Sequence, residues 1–406
     1  MRRKHNRAGN RSLFNNIIIS GRAKTCILFV MLLLIVGSMT YFAAGAEQVE
    51  ASENLMARSF GMGGAFTAIA DDGSALFYNP AGLYDGGSLE VSAGGGVMVG
   101  GIFDYFELMA LTEEFGEGAD DPENIIETLE DIPDLDARGQ LLGGGRISQF
   151  GFAADLTGEL EGSVEEDGNE WEQKGKLNYE GLLRGKAGLA GEITEVPLNM
   201  GFLAIGGALG INRVEMGEYN VETHSPPDRP QMTEWRGSDV GISADAGLMA
   251  QVTPIVKAGV MVENLIAQDL KAEGDEVFYN YNGEWTEDED KTEEVQEERS
   301  LPRKTRVGVA VDLPVFGTAA ADISNVPILS SGDAPDAALH AGVESDLLLG
   351  LISVRGGFYR NLNGDGFGMI TGGGGLNFGL GNVNLGAGFS PGEGTSSLLV
   401  SATLGF

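Results

Sequence analysis

From about residue 146 onward, the chain alternates between apolar residues and small or polar ones in segments of about ten residues. In one such segment, Val307, Val309 and Val311 alternate with Arg306, Gly308 and Ala310. A period of two is the pattern of a β-strand with one apolar face. A soluble sandwich also alternates, but here the second face is poor in charge and rich in Gly, Ser and Asn. This combination predicts strands that cross a membrane at a tilt and enclose a polar lumen.

The number of strands is constrained by parity. Thirteen alternating segments begin near residues 88, 146, 177, 199, 239, 256, 305, 316, 338, 351, 368, 382 and 397. Bacterial single-chain barrels have even strand numbers. Either the count misses one strand, between residues 130 and 145 or before residue 88, and the barrel has 14 strands. Or the count includes one segment too many, and the barrel has 12 strands. We therefore predict an all-β fold, a transmembrane antiparallel β-barrel over residues 88–406. Its last strand ends on an outward-facing Phe406, a usual ending for such barrels.

Residues 1–46 have the pattern of a cleaved signal peptide. They carry seven Lys or Arg residues and no acid, and an apolar run extends from Cys26 to Val36. The small residues Ala44-Gly45-Ala46 follow as a cleavage site. The alternative is an uncleaved anchor, but a run of about 11 residues is shorter than the roughly 20 that a spanning helix needs. We expect export to the bacterial outer membrane.

The connections between strands predict an orientation. Short turns are expected at Thr253-Pro254, 314–317, 346–350 and 380–381, and long loops at 215–238, 265–304 and 325–337. Short periplasmic turns and long outer loops are typical of outer-membrane barrels. The interval 102–145 predicts an acidic, partly helical insert, and 265–304 predicts a solvated acidic loop, with a cation site as the less favoured interpretation. The net charge of −34 argues against a nucleic-acid partner.

Residues 47–87 are not strand-like and contain a glycine-rich motif. Gly61-Met62-Gly63-Gly64-Ala65-Phe66 is followed by Ala70-Asp71-Asp72 and by Phe77-Tyr78-Asn79-Pro80-Ala81-Gly82-Leu83. This pattern resembles the start of the FadL-like outer-membrane transporter superfamily, which includes PorV-type and TraF-like barrels. The resemblance implies a 14-stranded barrel whose N-terminal segment folds back as a plug, or hatch. It places Asn79, Pro80, Ala81 and Gly82 in the plug, with Gly61, Gly63 and Gly64 against the wall. A purely structural turn is the alternative role for this motif.

Enzymatic, metal and cofactor motifs are nearly absent, and we predict a protein that is not an enzyme and has no cofactor or metal. His224 lies in a loop, and His340 lies on an inward strand position. The stretch Asn361–Gly366 resembles the start of a calcium loop, but Gly372 stands where the bidentate Glu is required. Alternation places seven charges in the lumen, where they would brace the plug or line a polar passage: Asp245, Lys257, Glu263, Arg306, Asp312, Glu344 and Arg355.

Two functions fit these features. The first is passive uptake of small hydrophobic molecules such as fatty acids across the outer membrane, with lipid around the barrel. The second is a barrel that does not transport and instead serves as a scaffold in a secretion or conjugation apparatus, as the PorV-type and TraF-like relatives suggest. A soluble exported β-sandwich is the weakest alternative.

Overall fold

The fold is a large antiparallel β-sheet, which the computed structural model describes for residues 56–84, 89–100, 134–166, 173–193, 201–222, 231–281, 285–314, 316–327, 329–331, 336–363, 368–391 and 395–405. The strands are β1 (Glu90–Gly100), β2 (Asp134–Ile147), β3 (Phe150–Glu166), β4 (Gln173–Glu192), β5 (Leu203–Glu222), β6 (Gln231–Thr253), β7 (Val256–Ala267), β8 (Leu270–Tyr281), β9 (Trp285–Arg299), β10 (Lys304–Leu313), β11 (Gly317–Ser324), β12 (Ala338–Leu347), β13 (Ile352–Asn361), β14 (Met369–Asn377), β15 (Gly381–Phe389) and β16 (Thr395–Gly405).

Within the described residues, fourteen of these strands form a closed ring. Pairing runs from β1 to β7 in order, passes from β7 to β10, and continues to β16. The ring closes where β16 pairs with β1, with Gly405 opposite Glu90. The predicted antiparallel barrel is confirmed, and 14 rather than 12 is the number of its strands. Phe406 lies outside the described residues.

The strand missed in the sequence is β2. It occupies the end of the interval 102–145, for which the sequence predicts a partly helical insert, and for residues from Asp134 onward that prediction is wrong. The run Leu141-Leu142-Gly143-Gly144-Gly145 gives little alternation, because glycine has no side chain to mark either face. Pairing with β1 and β3 on both edges nevertheless makes it a strand. The rest of the interval, 101–133, lies outside the described residues.

Two predicted loops are largely strand. Residues 215–238 belong mostly to β5 and β6, which extend to Glu222 and from Gln231. Residues 265–304 contain the hairpin β8–β9, so the loop predicted there is wrong, although the acidic side chains described on β9 are mostly exposed, as expected. Both segments are rich in charged residues, a composition that favours a loop prediction. Strand ends that extend beyond the lipid need no apolar face, so charge does not exclude strand there.

The outer face of the ring carries a belt of exposed apolar side chains. Leu209, Ile211 and Ile242 are 72%, 61% and 65% exposed, whereas their inward neighbours Ala208, Asn212 and Ser243 are buried. A continuous apolar surface of this extent is unfavourable in water and suits the hydrocarbon core of a membrane.

Residues 56–84 contain no strand and lie inside the ring; we call them the plug. They comprise the short helices α1 (Ala57–Gly61) and α2 (Ala75–Tyr78) and a 3₁₀ turn at Pro80–Tyr84. The first helix contacts β13 to β16 and the 3₁₀ turn contacts β4 to β6, so the plug crosses the lumen. Among the described residues, no helix is long and apolar enough to span a membrane.

Candidate functional site

The plug packs directly on bare backbone of the barrel wall. A Cβ at Gly357 would lie 2.2 Å from the nitrogen of Gly63, and a Cβ at Gly206 would lie 2.4 Å from the nitrogen of Ala81. Gly63 itself has a positive φ of 66° that favours glycine. Inward-facing glycines therefore let two backbones approach more closely than side chains would permit. Gly61 also contacts the wall, with its Cβ position 3.4 Å from the Cα of Gly373.

Asn79 is fully buried and holds the plug together. Its Nδ2 donates to the carbonyl oxygens of Thr67, at 3.0 Å, and of Leu248 on β6, at 2.9 Å. Its Oδ1 accepts from the nitrogen of Ala81 at 3.1 Å, which shapes the turn through Pro80. One amide thus joins two parts of the plug to the wall, a role that its position before a proline did not reveal.

The plug segment Gly63–Thr67 is held by two buried side chains of the wall. Asp322 Oδ2 accepts hydrogen bonds from the nitrogens of Phe66 and Thr67, both at 2.8 Å. His340 Nδ1 lies 2.8 Å from the carbonyl oxygen of Gly63, and because a carbonyl only accepts, Nδ1 donates. Ser324 Oγ hydrogen-bonds Nε2 of the same ring at 3.0 Å. His340 therefore has a structural role in positioning the plug, and Asp322 was missed in the sequence.

Arg58 of the plug forms ionic contacts with Asp71 of the plug and with Glu344 on β12 of the wall. Its Nη1 lies 2.5 Å from Asp71 Oδ1, and its Nη2 lies 3.0 Å from Glu344 Oε1. Burial acts to lower the pKa of Arg58, but Asp71, Glu344 and Asp72 together raise that pKa well above its ordinary value. Glu344 also pairs with Arg355. The structure thus brings together two of the seven predicted lumen charges, Glu344 and Arg355, around an arginine that is not among those seven.

A second network links side chains of β3, β4, β6 and β7 on the inner face of the wall. Arg184 forms a bidentate ion pair with Asp155, in which Nε donates to Oδ1 at 2.9 Å and Nη2 donates to Oδ2 at 2.8 Å. Lys186 Nζ lies 2.8 Å from Asp245 and 2.9 Å from Glu263. Three negative and two positive groups leave this buried network with a net charge of −1. Asp245 and Glu263 were predicted in the lumen, whereas their partners were missed, although Arg184 and Lys186 alternate within an apolar stretch.

Three cations of the wall stack on two aromatic rings of the plug. Arg184 and Lys186 lie 5.3 and 4.8 Å from the centre of the Phe77 ring. Arg306 lies 5.4 Å from the centre of the Tyr78 ring. Cation–π contacts of this kind are stronger when they are desolvated, as here.

The remaining predicted lumen charges, Lys257 and Asp312, lie apart from these networks. Their side chains are 31% and 43% exposed and 3.5 Å apart. They belong to the end of the barrel that carries the short turns after β6 and β10.

A cavity of about 130 Å³ lies between the plug and the barrel wall, with an opening to solvent. For scale, a dry engineered cavity of about 150 Å³ holds a benzene molecule. Its apolar lining comes from Phe60, Val97, Met98, Leu182, Tyr359 and Leu399, and its charged lining from Arg138, Glu159, Glu180, Arg184, Arg299, Lys304 and Arg306.

One charged group of the cavity differs from its neighbours. Arg138 pairs with Glu159, and Arg299 pairs with Glu180. Arg306 is 7% exposed, and its Nη1 has no hydrogen-bond partner among the described residues. A buried guanidinium nitrogen without a partner is costly, and the side chain of Arg306 also lines the cavity.

Solved structures of other proteins share this architecture. No protein-family model matches the chain, and no curated protein matches it. Among solved structures, the toluene transporter TodX of Pseudomonas putida is 15% identical, with a TM-score of 0.55 over 88% of this chain and 98% of that one. A Pseudomonas aeruginosa FadL homologue is 11% identical, with a TM-score of 0.51 over 87% and 98%. The monoaromatic hydrocarbon channel CymD is 12% identical, with a TM-score of 0.51 over the same shares.

The chain has the FadL-like barrel fold. The 14-stranded FadL-like ring and the internal N-terminal segment that the motif around Asn79 implied are both present. At 11–15% identity, this similarity establishes the fold, and the function is argued from the site.

Proposed function

We propose that this FadL-like barrel resides in the bacterial outer membrane and passively admits small hydrophobic molecules, including those with an anionic head such as fatty acids. The apolar outer belt supports a membrane location, with lipid as its surrounding partner. The plug serves as the hatch, and the buried lumen charges brace it. We further propose that residues 1–46 direct export and are removed.

The observation that carries the proposal is the two-sided lining of the cavity. An alkyl chain or aromatic ring can bury apolar surface against Phe60, Met98 and Leu399, at about 0.8 kcal/mol for each methylene buried. On the other side, Arg306 offers an unpaired, buried guanidinium nitrogen. Binding and release then require no covalent chemistry and no cofactor. No observation in the described part of the chain favours the secretion or conjugation scaffold.

Laurate and 1-dodecanol separate the two sides of this site, because they share an alkyl chain and differ in the head. In Arg306→Gln, the lost contact to a charged head is expected to contribute about 1.5–3 kcal/mol. The Kd for laurate in lipid nanodiscs should therefore rise about 12- to 140-fold, while that for dodecanol changes little. Arg213→Gln is the matched control, since Arg213 is 55% exposed on the outer face.

Uptake tests the larger proposal. Labelled laurate and labelled toluene should enter a complemented strain faster than the deletion strain. Equal uptake by the two strains for both compounds would refute transport of these classes.

A further inference from the structure

The hairpin β8–β9 is an addition to the ring of 14 strands. Strand β7 pairs with β6 from Thr253 up to Ser243, and above this β8 pairs with β6 from Ser238 to Gln231. Among the described strands, β9 pairs only with β8. The hairpin is therefore attached to the wall along one edge and contributes nothing to the closure of the barrel.

The base of this hairpin crosses the inner face of β6. A Cβ at Gly237 would lie 3.0 Å from the carbonyl carbon of Ala272, and a Cβ at Gly241 would lie 2.6 Å from Leu270 Cδ2. Leu270 and Ala272 are fully buried in a cluster with Leu182, Val214 and Trp235. These contacts place apolar side chains of the hairpin inside the upper barrel, against β4, β5 and β6.

An ion pair joins the hairpin to the wall of the cavity. Arg299, at the end of β9, has its Nε 3.1 Å from Glu180 Oε1 of β4, and both residues line the cavity. The side chain of Arg299 is 41% exposed and that of Glu180 is 16% exposed, so solvent and salt screen the pair in part, from the side of the arginine. The contact can therefore break without unfolding the barrel.

We propose that the β8–β9 hairpin is a movable cover of the cavity and that the Arg299–Glu180 pair holds it closed. The cover rests on its apolar base and opens when the pair breaks, so the hairpin controls access to the site from the side opposite the plug. The inference rests on the proposed function only in taking the lumen as the passage.

A single-cysteine reporter tests the cover without any ligand. The only cysteine of the chain is Cys26, so Cys26→Ala with Gln140→Cys gives one thiol on the cavity wall. Its rate of labelling by a polar maleimide is measured in purified protein. Arg299→Glu and Glu180→Arg should each raise the rate by about fivefold, the upper range for a partly exposed pair. The double charge swap should return it towards the parent value.

Lys174→Glu is the matched control, because Lys174 lies on β4, as Glu180 does, and forms an ion pair with Glu222 of β5 at 2.7 Å. This substitution should leave the labelling rate unchanged. Excision of residues 270–299 should raise the rate further than either substitution. Asp269 Oδ1 already accepts a hydrogen bond from the nitrogen of Leu301 at 3.0 Å, so the new ends are adjacent.

An unchanged rate in the excised, folded barrel would overturn the proposal, as would equal rates in all charge variants. If the excised chain does not fold, the full-length charge variants decide. Failure of laurate or toluene uptake leaves this labelling result intact, so the two proposals fail separately.

Discussion

The contact between plug and wall at Gly357 predicts a large effect from one methyl group. In Gly357→Ala, the new Cβ would lie 2.2 Å from the nitrogen of Gly63 and 2.3 Å from the carbonyl carbon of Met62. Real Cβ contacts essentially never fall below 3.0 Å, so the plug backbone must shift by at least the difference of 0.8 Å. Overpacking of this kind costs about 1–3 kcal/mol. Docking of the plug should therefore weaken about 5- to 140-fold.

The neighbouring glycine supplies the control. A Cβ at Gly356 would meet nothing within 4 Å, so Gly356→Ala makes the same chemical change on the other face of β13. Ala68 is fully buried in the plug, and Ala68→Cys, combined with Cys26→Ala, reports undocking by its thiol-labelling rate. The rate should rise in Gly357→Ala and remain at the parent value in Gly356→Ala. Equal rates in both variants would refute the close packing of plug and wall.

Two further substitutions test the polar contacts. Lys186→Met should destabilise the barrel by about 3–5 kcal/mol, because it leaves two buried carboxylates without their nearest cation, and Lys186→Met with Glu263→Gln should recover part of that loss. The urea concentration at half unfolding, followed by the folded band on a gel, measures the stability of both variants. An unchanged midpoint for Lys186→Met would contradict the network. Asn79→Ala should raise labelling of Ala68→Cys, since each buried group left without a partner costs about 1–3 kcal/mol. A parent-like rate would show that the amide does not hold the plug.

The barrel could be predicted because its lipid-facing strands obey a simple rule. Each must present alternate apolar side chains to the membrane, and this pattern is visible in segments such as Thr305–Leu313. The rule fails for a strand rich in glycine, which has no side chains to alternate, and for a strand that does not face lipid. β2 has a triple glycine at 143–145 that hides the alternation, and β9 lies above the apolar belt, where its strand character comes from pairing with β8.

The site was less predictable, because its side chains meet across the lumen from distant parts of the sequence. Alternation identified Asp245 and Glu263 as inward-facing, but their shared partner Lys186 is on β4. The curvature that brings these strands together is a property of the closed ring. Arg58 was not selected for a different reason: it belongs to the plug, where no period indicates which side chains face the wall.

The plug and the cavity are not independent, because Arg306 belongs to both. Its guanidinium stacks on Tyr78 of the plug and also lines the cavity. Arg306→Gln therefore removes an anion partner and a plug contact together. A higher Kd for laurate with an unchanged labelling rate at Ala68→Cys would assign the loss of affinity to the anion contact. A parallel rise in labelling would instead mean that the plug had loosened, and dodecanol binding would then change as well. The comparison of the two ligands thus separates recognition of the head group from support of the hatch.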